Sequence, residues 1–209
     1  MMDAKTTFIF CIIAFFGLAL LPTSTDACSC AAEHTQTKIC NAQFSIIARV
    51  LGRYIRYTNR QVVYKLQIWR VYKMNGKEPH ELKMRRIITS SMDDSMCGVN
   101  LKPGRTYAIA ARSSHITICD FYKEYKKLTV VERRGMASSY NKGCACNIKP
   151  CFTNDCPPME GTCNWSFMSA CDTDYGVCIP SRGTLTPDGN PTKCHWKRSS
   201  PYMRCIMAP

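Results

Sequence analysis

Ser45-Ile46-Ile47-Ala48-Arg49-Val50-Leu51, closed by Gly52, is β-branched and apolar in the way a buried strand requires. Working outward from it, Val63 to Tyr72 is a second such run. There Tyr64, Leu66 and Ile68 alternate with Lys65, Gln67 and Arg70, the apolar Trp69 apart. Leu82 to Thr89, Thr106 to Ala111 and His115 to Cys119 read as three more. Turn-forming residues separate them: Thr58-Asn59, Asn75-Gly76, Pro79, Pro103-Gly104 and Ser113-Ser114. Five closely spaced strands make a small barrel or sandwich, so the chain is expected to be mainly β. One helical stretch follows, Leu128 to Tyr140, with Leu128, Val131 and Met136 on one face. Lys127, Glu132, Arg133 and Arg134 fall largely off that face. Five strands and a helix suggest a partly open Greek-key barrel of the oligonucleotide/oligosaccharide-binding (OB) type, a fold that hosts many functions.

Near Cys144 the texture changes. From residue 146 to 209 cysteine, proline and glycine are dense and long apolar runs are few. Such a segment has little core and depends on cross-links for its shape. It is expected to be a small disulfide-rich subdomain, docked after the helix with almost no linker. At the other end, residues 1–27 carry Lys5, an apolar run from Phe8 to Leu21, and Thr25-Asp26-Ala27. That run, about 14 residues, falls short of the roughly 20 a membrane span needs. The layout is that of a secretory signal peptide cleaved after Ala27, an uncleaved anchor being the lesser alternative. The expected divisions are therefore 1–27, 28–145 and 146–209.

Cleavage there makes Cys28 the first mature residue and removes Cys11, leaving an even fourteen cysteines. In an exported chain that is a framework of up to seven bridges, whose connectivity the count leaves open. The full chain carries +13, rising to about +14 once Asp3, Lys5 and Asp26 are gone. Outside the cell the natural acidic partner is sulfated glycan such as heparan sulfate, not nucleic acid. A basic surface that serves solubility alone is an equally good account.

Little points to catalysis. Cys144-Ala145-Cys146, Cys151 and Cys156 lack the paired C-x2-C spacing of structural zinc and lie behind a signal peptide, so disulfides fit better. His34, His80, His115 and His195 stand apart from any nucleophile motif, and no G-x-S-x-G, H-E-x-x-H or phosphate loop occurs. Cys194 and His195 are adjacent, but an oxidised cysteine is no nucleophile. Asn164-Trp165-Ser166 is a candidate glycosylation site, crowded by Cys163 and Trp165; Asn190-Pro191-Thr192 is excluded by its proline. The N-terminus, Cys28-Ser29-Cys30, is left. A bridge from Cys28 to mid-chain closes a loop of about 70 residues and contributes about 4 kcal/mol in the chain-entropy model. On the residues alone, plain stabilisation is the simpler account. The sharper one is that the bridges fix an α-amine and a carbonyl in space as a two-atom chelate.

Cys28-Ser29-Cys30-Ala31-Ala32-Glu33-His34-Thr35-Gln36, with Cys40-Asn41, resembles the opening of a tissue inhibitor of metalloproteinases. Ile47-Ala48-Arg49-Val50, Met74-Asn75-Gly76, Ser95-Met96-Cys97-Gly98 and Arg133-Arg134-Gly135 are similar to later family segments. So are Tyr140-Asn141-Lys142-Gly143-Cys144-Ala145-Cys146, Cys163-Asn164-Trp165 and Cys194-His195-Trp196, and the resemblance covers essentially residues 28 to 198. It implies a netrin-like barrel and the bridges Cys28–Cys97, Cys30–Cys119, Cys40–Cys144, Cys146–Cys194, Cys151–Cys156 and Cys163–Cys178. Cys171 and Cys205 have no counterpart in the vertebrate pattern, and pairing them is the simplest completion.

The resemblance further implies a secreted, non-enzymatic inhibitor with no cofactor of its own, a monomer forming 1:1 complexes with matrix or disintegrin metalloproteinases. The Cys28 α-amine and carbonyl would bind the enzyme's catalytic zinc and Ser29 would enter its S1′ pocket. Ala31 and Ala32 would follow the primed side, and Ser95, Met96 and Cys97 would cover the unprimed side. Glu33 stands where vertebrate members often have proline or serine. The stretch from Ile179 to Lys193 is longer than its usual counterpart, and that from Gly52 to Gln61 is short. A second expectation is a netrin-like module that binds heparan sulfate or matrix glycans and inhibits no protease.

Overall fold

β1 (Phe44–Arg56) and β2 (Gln61–Met74) form a long antiparallel hairpin joined by a single 3-10 turn, Tyr57–Asn59. The computed structural model describes residues 28–74, 82, 86–153, 156–166 and 168–208. The leader and the expected turns at Asn75-Gly76 and Pro79 lie outside the described residues. β3 (Ile87–Ser91) pairs with the start of β2, β4 (Thr106–Ala111) with β1, and β5 (Phe121–Glu124) with β4. The sheet order is β3-β2-β1-β4-β5. A meander whose fourth strand returns beside the first is a Greek key. The curled sheet is joined across its open side where Thr89 bridges His115 in parallel, Thr89 N donating to Ser114 O at 2.8 Å.

β1 is buried on both faces along Phe44–Ala48 because each face meets its own core. Phe44, Ile46, Ala48 and Val50 point into the barrel with Tyr64, Leu66, Ile88 and Ile109. Ile47 points outward, where it meets Ile39, Ala108, Val131, Met136, Tyr140 and, from the cysteine-rich half, Val177.

Several strand limits differ from expectation. β1 does not stop at Gly52: the register slips between Val50 and Gly52, and pairing resumes to Arg56. A Cβ at Gly52 would meet nothing within 4 Å. This glycine marks a bulge, not an end. The third strand begins at Ile87 rather than Leu82, and its partner β2 starts at Gln61. The expected fifth strand, His115 to Cys119, supplies only the bridge at His115. Asp120 Oδ2 accepts from Thr117 N at 2.9 Å and Thr117 Oγ1 at 3.2 Å, bending the chain before β5 begins at Phe121. Side chains of this kind compete with ladder pairing.

A short helix absent from the sequence reading, α1 (Thr35–Asn41), precedes β1. The later helix starts at Val130. α2 (Val130–Arg134) runs through a π-helical stretch, Gly135–Ser139, into α3 (Tyr140–Gly143). A side chain on Gly135 would overlap the Tyr140 ring, so the missing Cβ is what lets that ring pack inward. Glu132 does not lie off the buried face: it is 2% exposed. Its carboxylate accepts from Thr129 N at 2.7 Å while Thr129 Oγ1 accepts from Glu132 N at 3.1 Å, a capping box. Lys123 Nζ, 3.0 Å away, neutralises it.

In the cysteine-rich half, β6 (Asn147–Pro150) and β7 (Thr162–Trp165) pair in parallel. α4 (Ala170–Tyr175) follows, then the antiparallel pair β8 (Cys178–Pro180) and β9 (Cys194–Trp196), and α5 (Ser200–Ile206). The long stretch before β9 is itself hairpin-like, Ser181 N donating to Lys193 O at 2.9 Å and Thr186 N to Asn190 O at 2.8 Å. Cys146, Cys163 and Cys178 form the small core with Ile148 and Trp196. The fold is thus mainly β: a five-stranded barrel-like sheet with short helices, then a small disulfide-rich unit.

Candidate functional site: the anchored N-terminal segment

Residues 28–34 adopt no helix or strand and are held from outside. Cys28 is bonded to Cys97 and Cys30 to Cys119, with Cα separations of 5.2 and 5.3 Å. Ser29, Ala31 and Ala32, between and after these anchors, are exposed. Both receiving residues are themselves fixed. Cys97 ends the 3-10 turn Asp94–Met96 in a left-handed conformation, φ 60°, and its carbonyl accepts from Ile118 N at 3.1 Å. Cys119 N donates to Thr117 Oγ1 at 3.2 Å, within the turn that Asp120 closes. Ser95 and Met96 are exposed beside Cys97, Met96 at 61%.

The segment is tied at its far end by a group that sequence reasoning missed. His34 caps α1, its Nδ1 accepting from Gln36 N at 3.2 Å, while Nε2 lies 2.9 Å from Asp172 O. The ring sits 5.5 Å from Trp165 and 5.4 Å from Trp196, centroid to centroid, and is 1% exposed. Burial lowers its pKa below the usual 6.5, an effect that the hydrogen bond to Asp172 only partly offsets. Asp172 is held in turn by Tyr202, whose phenol donates to Oδ1 at 2.9 Å. Gln36 reaches across to Gly143 and Cys178. A seven-residue helix whose buried residues are Gln36 and Ile39 leaves almost no periodic signal; the usable clue was a histidine and a glutamine flanking Thr35 just after a cysteine pair.

Seven disulfides are present among the described residues: the two above, Cys40–Cys144, Cys146–Cys194, Cys151–Cys156, Cys163–Cys178 and Cys171–Cys205. Sulfurs of Cys28, Cys30 and Cys119, and of Cys146, Cys178 and Cys194, gather within 4.8 Å of one another. Each belongs to a disulfide, so none offers a thiolate to a metal. His115 contacts Thr89 Oγ1 at 3.1 Å and Ser91 Oγ at 3.4 Å, seaming the closure beside β3. His195 contacts Ser181 Oγ at 2.9 Å beside the bonded Cys194. No helix among the described residues is long and apolar enough to cross a membrane.

Comparison with known proteins places this arrangement. The family model for tissue inhibitor of metalloproteinase matches residues 26–196. A Drosophila melanogaster protein described as "Tissue inhibitor of metalloproteinase" is 34% identical over 207 residues, covering 98% of this chain and 95% of its own. "Metalloproteinase inhibitor 3" of Xenopus laevis is 27% identical over 88% of this chain and 94% of its own. "Metalloproteinase inhibitor 2" of Cavia porcellus is 31% identical over 81% and 88%. The chain belongs to the tissue inhibitor of metalloproteinase family. It is an inhibitor, not an enzyme.

Proposed function

We propose that the secreted chain begins at Cys28 and inhibits zinc metalloproteinases by offering the α-amino nitrogen and carbonyl oxygen of Cys28 to the enzyme's catalytic zinc. Such a zinc has three protein ligands and one open position held by water, and nitrogen and oxygen donors suit it. An α-amino group has an ordinary pKa of about 7.7–8.0, so shedding its proton costs little near neutrality, whereas a lysine amine would cost far more. Ser29 enters the S1′ pocket, where its small side chain permits broad inhibition. Ala31 and Ala32 follow the primed side; Ser95, Met96 and Cys97 cover the unprimed side. Nothing is cleaved, because no acyl group precedes Cys28. Residues 28–145 form the inhibitory module and 146–209 a second module.

The observation that carries this reading is the double anchorage of an otherwise irregular segment, with Ser29, Ala31 and Ala32 left exposed between fixed points. Pre-ordering of this kind removes most of the entropy cost of docking. The partners are matrix or disintegrin metalloproteinases of the extracellular space or matrix, bound 1:1. The test is to place one extra residue before Cys28, or to acetylate its amine. Inhibition should vanish while unfolding is unchanged; an extended chain that inhibits as well as the native one ends the proposal.

A second reading, a glycan-binding module without inhibition, draws on the exposed cations Arg70 and Arg86, which line one surface hollow with the exposed Trp69. Retention on heparin at physiological salt with no effect on any metalloproteinase would favour it.

A further inference from the structure

The turn of the β1–β2 hairpin is fastened to the loop bearing Ser95, Met96 and Cys97 at two points. Arg60, left-handed at φ 49°, accepts the Met92 amide on its carbonyl at 2.9 Å. Its guanidinium Nη2 lies 2.9 Å from Asp93 Oδ2. Asp93 also organises the loop itself, its backbone carbonyl accepting from Met96 N at 3.1 Å and Gly98 N at 3.2 Å. Gly98 has to be small, since a Cβ there would stand 2.6 Å from Ser91 O and 2.8 Å from Asp93 O.

Around this clasp several large apolar side chains are exposed: Tyr57 is 77% exposed, Met96 61% and Met92 37%. Tyr54, Ile55, Tyr57 and Met92 line one surface hollow. Exposed apolar side chains gathered in one place mark a contact surface.

We infer that Arg60 is a positioning residue for target choice: by clasping Asp93 it holds the hairpin tip and the Met96 loop as one unit, so that Tyr57, Met92 and Met96 meet a metalloproteinase together. This rests on the proposal that the Cys28 segment enters the enzyme's cleft. An exposed ion pair adds little to folding, and the Arg60 side chain is 68% exposed. What it fixes is geometry that binding otherwise has to order.

The test uses the full mature chain, Arg60→Ala, Asp93→Asn and the exchange Arg60→Asp with Asp93→Arg. Aspartate tolerates the left-handed backbone that position 60 requires. Inhibition constants are measured against the catalytic domains of several matrix and disintegrin metalloproteinases, alongside thermal unfolding. The single variants should bind about two- to five-fold more weakly, unequally among enzymes and without a fall in melting temperature, and the exchange should restore binding. Unchanged inhibition in Arg60→Ala, or an exchange no better than the singles, overturns the inference. If the native chain inhibits no enzyme, the chelation proposal falls instead. Amide hydrogen exchange at Met96 and Gly98 then decides the clasp: faster exchange in Arg60→Ala sustains it, and unchanged exchange overturns it.

Discussion

Gln36 and Cys178, 142 residues apart, exchange two hydrogen bonds across the junction between barrel and cysteine-rich half: Gln36 Nε2 donates to Cys178 O at 2.8 Å, and Cys178 N donates to Gln36 Oε1 at 2.9 Å. The other Nε2 hydrogen goes to Gly143 O at 3.0 Å. A side chain on Gly143 would collide with the Cys178 carbonyl, so α3 and β8 approach closely only because that residue is glycine.

Gln36→Ala leaves the Cys178 N–H and carbonyl without the Gln36 amide, while Gly143 O still accepts from Cys146 N at 3.0 Å; each such orphaned group costs about 1–3 kcal/mol. Urea unfolding should show a loss of about 2 kcal/mol or more. Gln36→Glu keeps the shape but sets a carboxylate against two carbonyl oxygens, so it should be no milder. A glutamate variant within about 0.5 kcal/mol of the native protein, well under one such loss, would show that the junction is held by something else.

Stability should fall with acidification through His34. Its Nδ1 accepts a hydrogen bond and its ring lies between two indoles, so the neutral form is required. The folded pKa lies below 6.5, so the unfolded chain binds the proton more readily. The contribution is therefore whole above about pH 6.5 and drains away as pH drops toward the depressed folded value. The facing groups are the backbone carbonyl of Asp172, whose carboxylate is engaged by Tyr202, and the two tryptophans. His34→Asn, still able to cap α1, should melt lower at pH 8 yet lose less between pH 7 and 5. Parallel pH profiles for the two proteins would remove His34 as the cause.

Glu132→Ala should rank among the costlier barrel substitutions. It strips a cap from α2 and strands Lys123, whose side chain is 30% exposed. Partial exposure of the lysine tempers the penalty for an unpaired charge, leaving about 2–4 kcal/mol in denaturant unfolding. A loss under about 1 kcal/mol, the size of a surface pair, would mean that water replaces the carboxylate without difficulty.

Asn164 should carry no glycan. Its Nδ2 donates to Cys156 O and Pro157 O, both at 3.0 Å, so both amide hydrogens are in use and a sugar would displace one. Intact mass of exported protein, before and after peptide N-glycosidase, gives the answer directly. A mass shift on treatment contradicts the expectation.

Legibility of the sequence varied with how local the cause was. Thr106–Ala111 is read to the residue because turns bound it on both sides and its apolar run is continuous. Gly52 misled because a glycine in a strand signals either an end or a bulge, and only the pairing partner distinguishes them. His115 to Cys119 misled because two hydroxyl- and carboxylate-bearing residues, Thr117 and Asp120, bond to each other across the turn. Glu132 misled because its burial depends on Lys123, nine residues earlier on another element. The Cys28–Ala32 segment is visible as a motif, whereas what holds its far end, His34 and Gln36, depends on residues more than 100 positions away.

Cys28 and Cys30 hold their places through covalent bonds to two loops, not through a ladder or a helix. On the proposed mechanism the inhibitory end comes into being only when those two bonds form. On that mechanism a chain with those sulfurs mispaired or reduced has a loose thread where the tool should be. Passage through an oxidising compartment would in that sense be the last step of synthesis, the new chain staying blunt until it gets there.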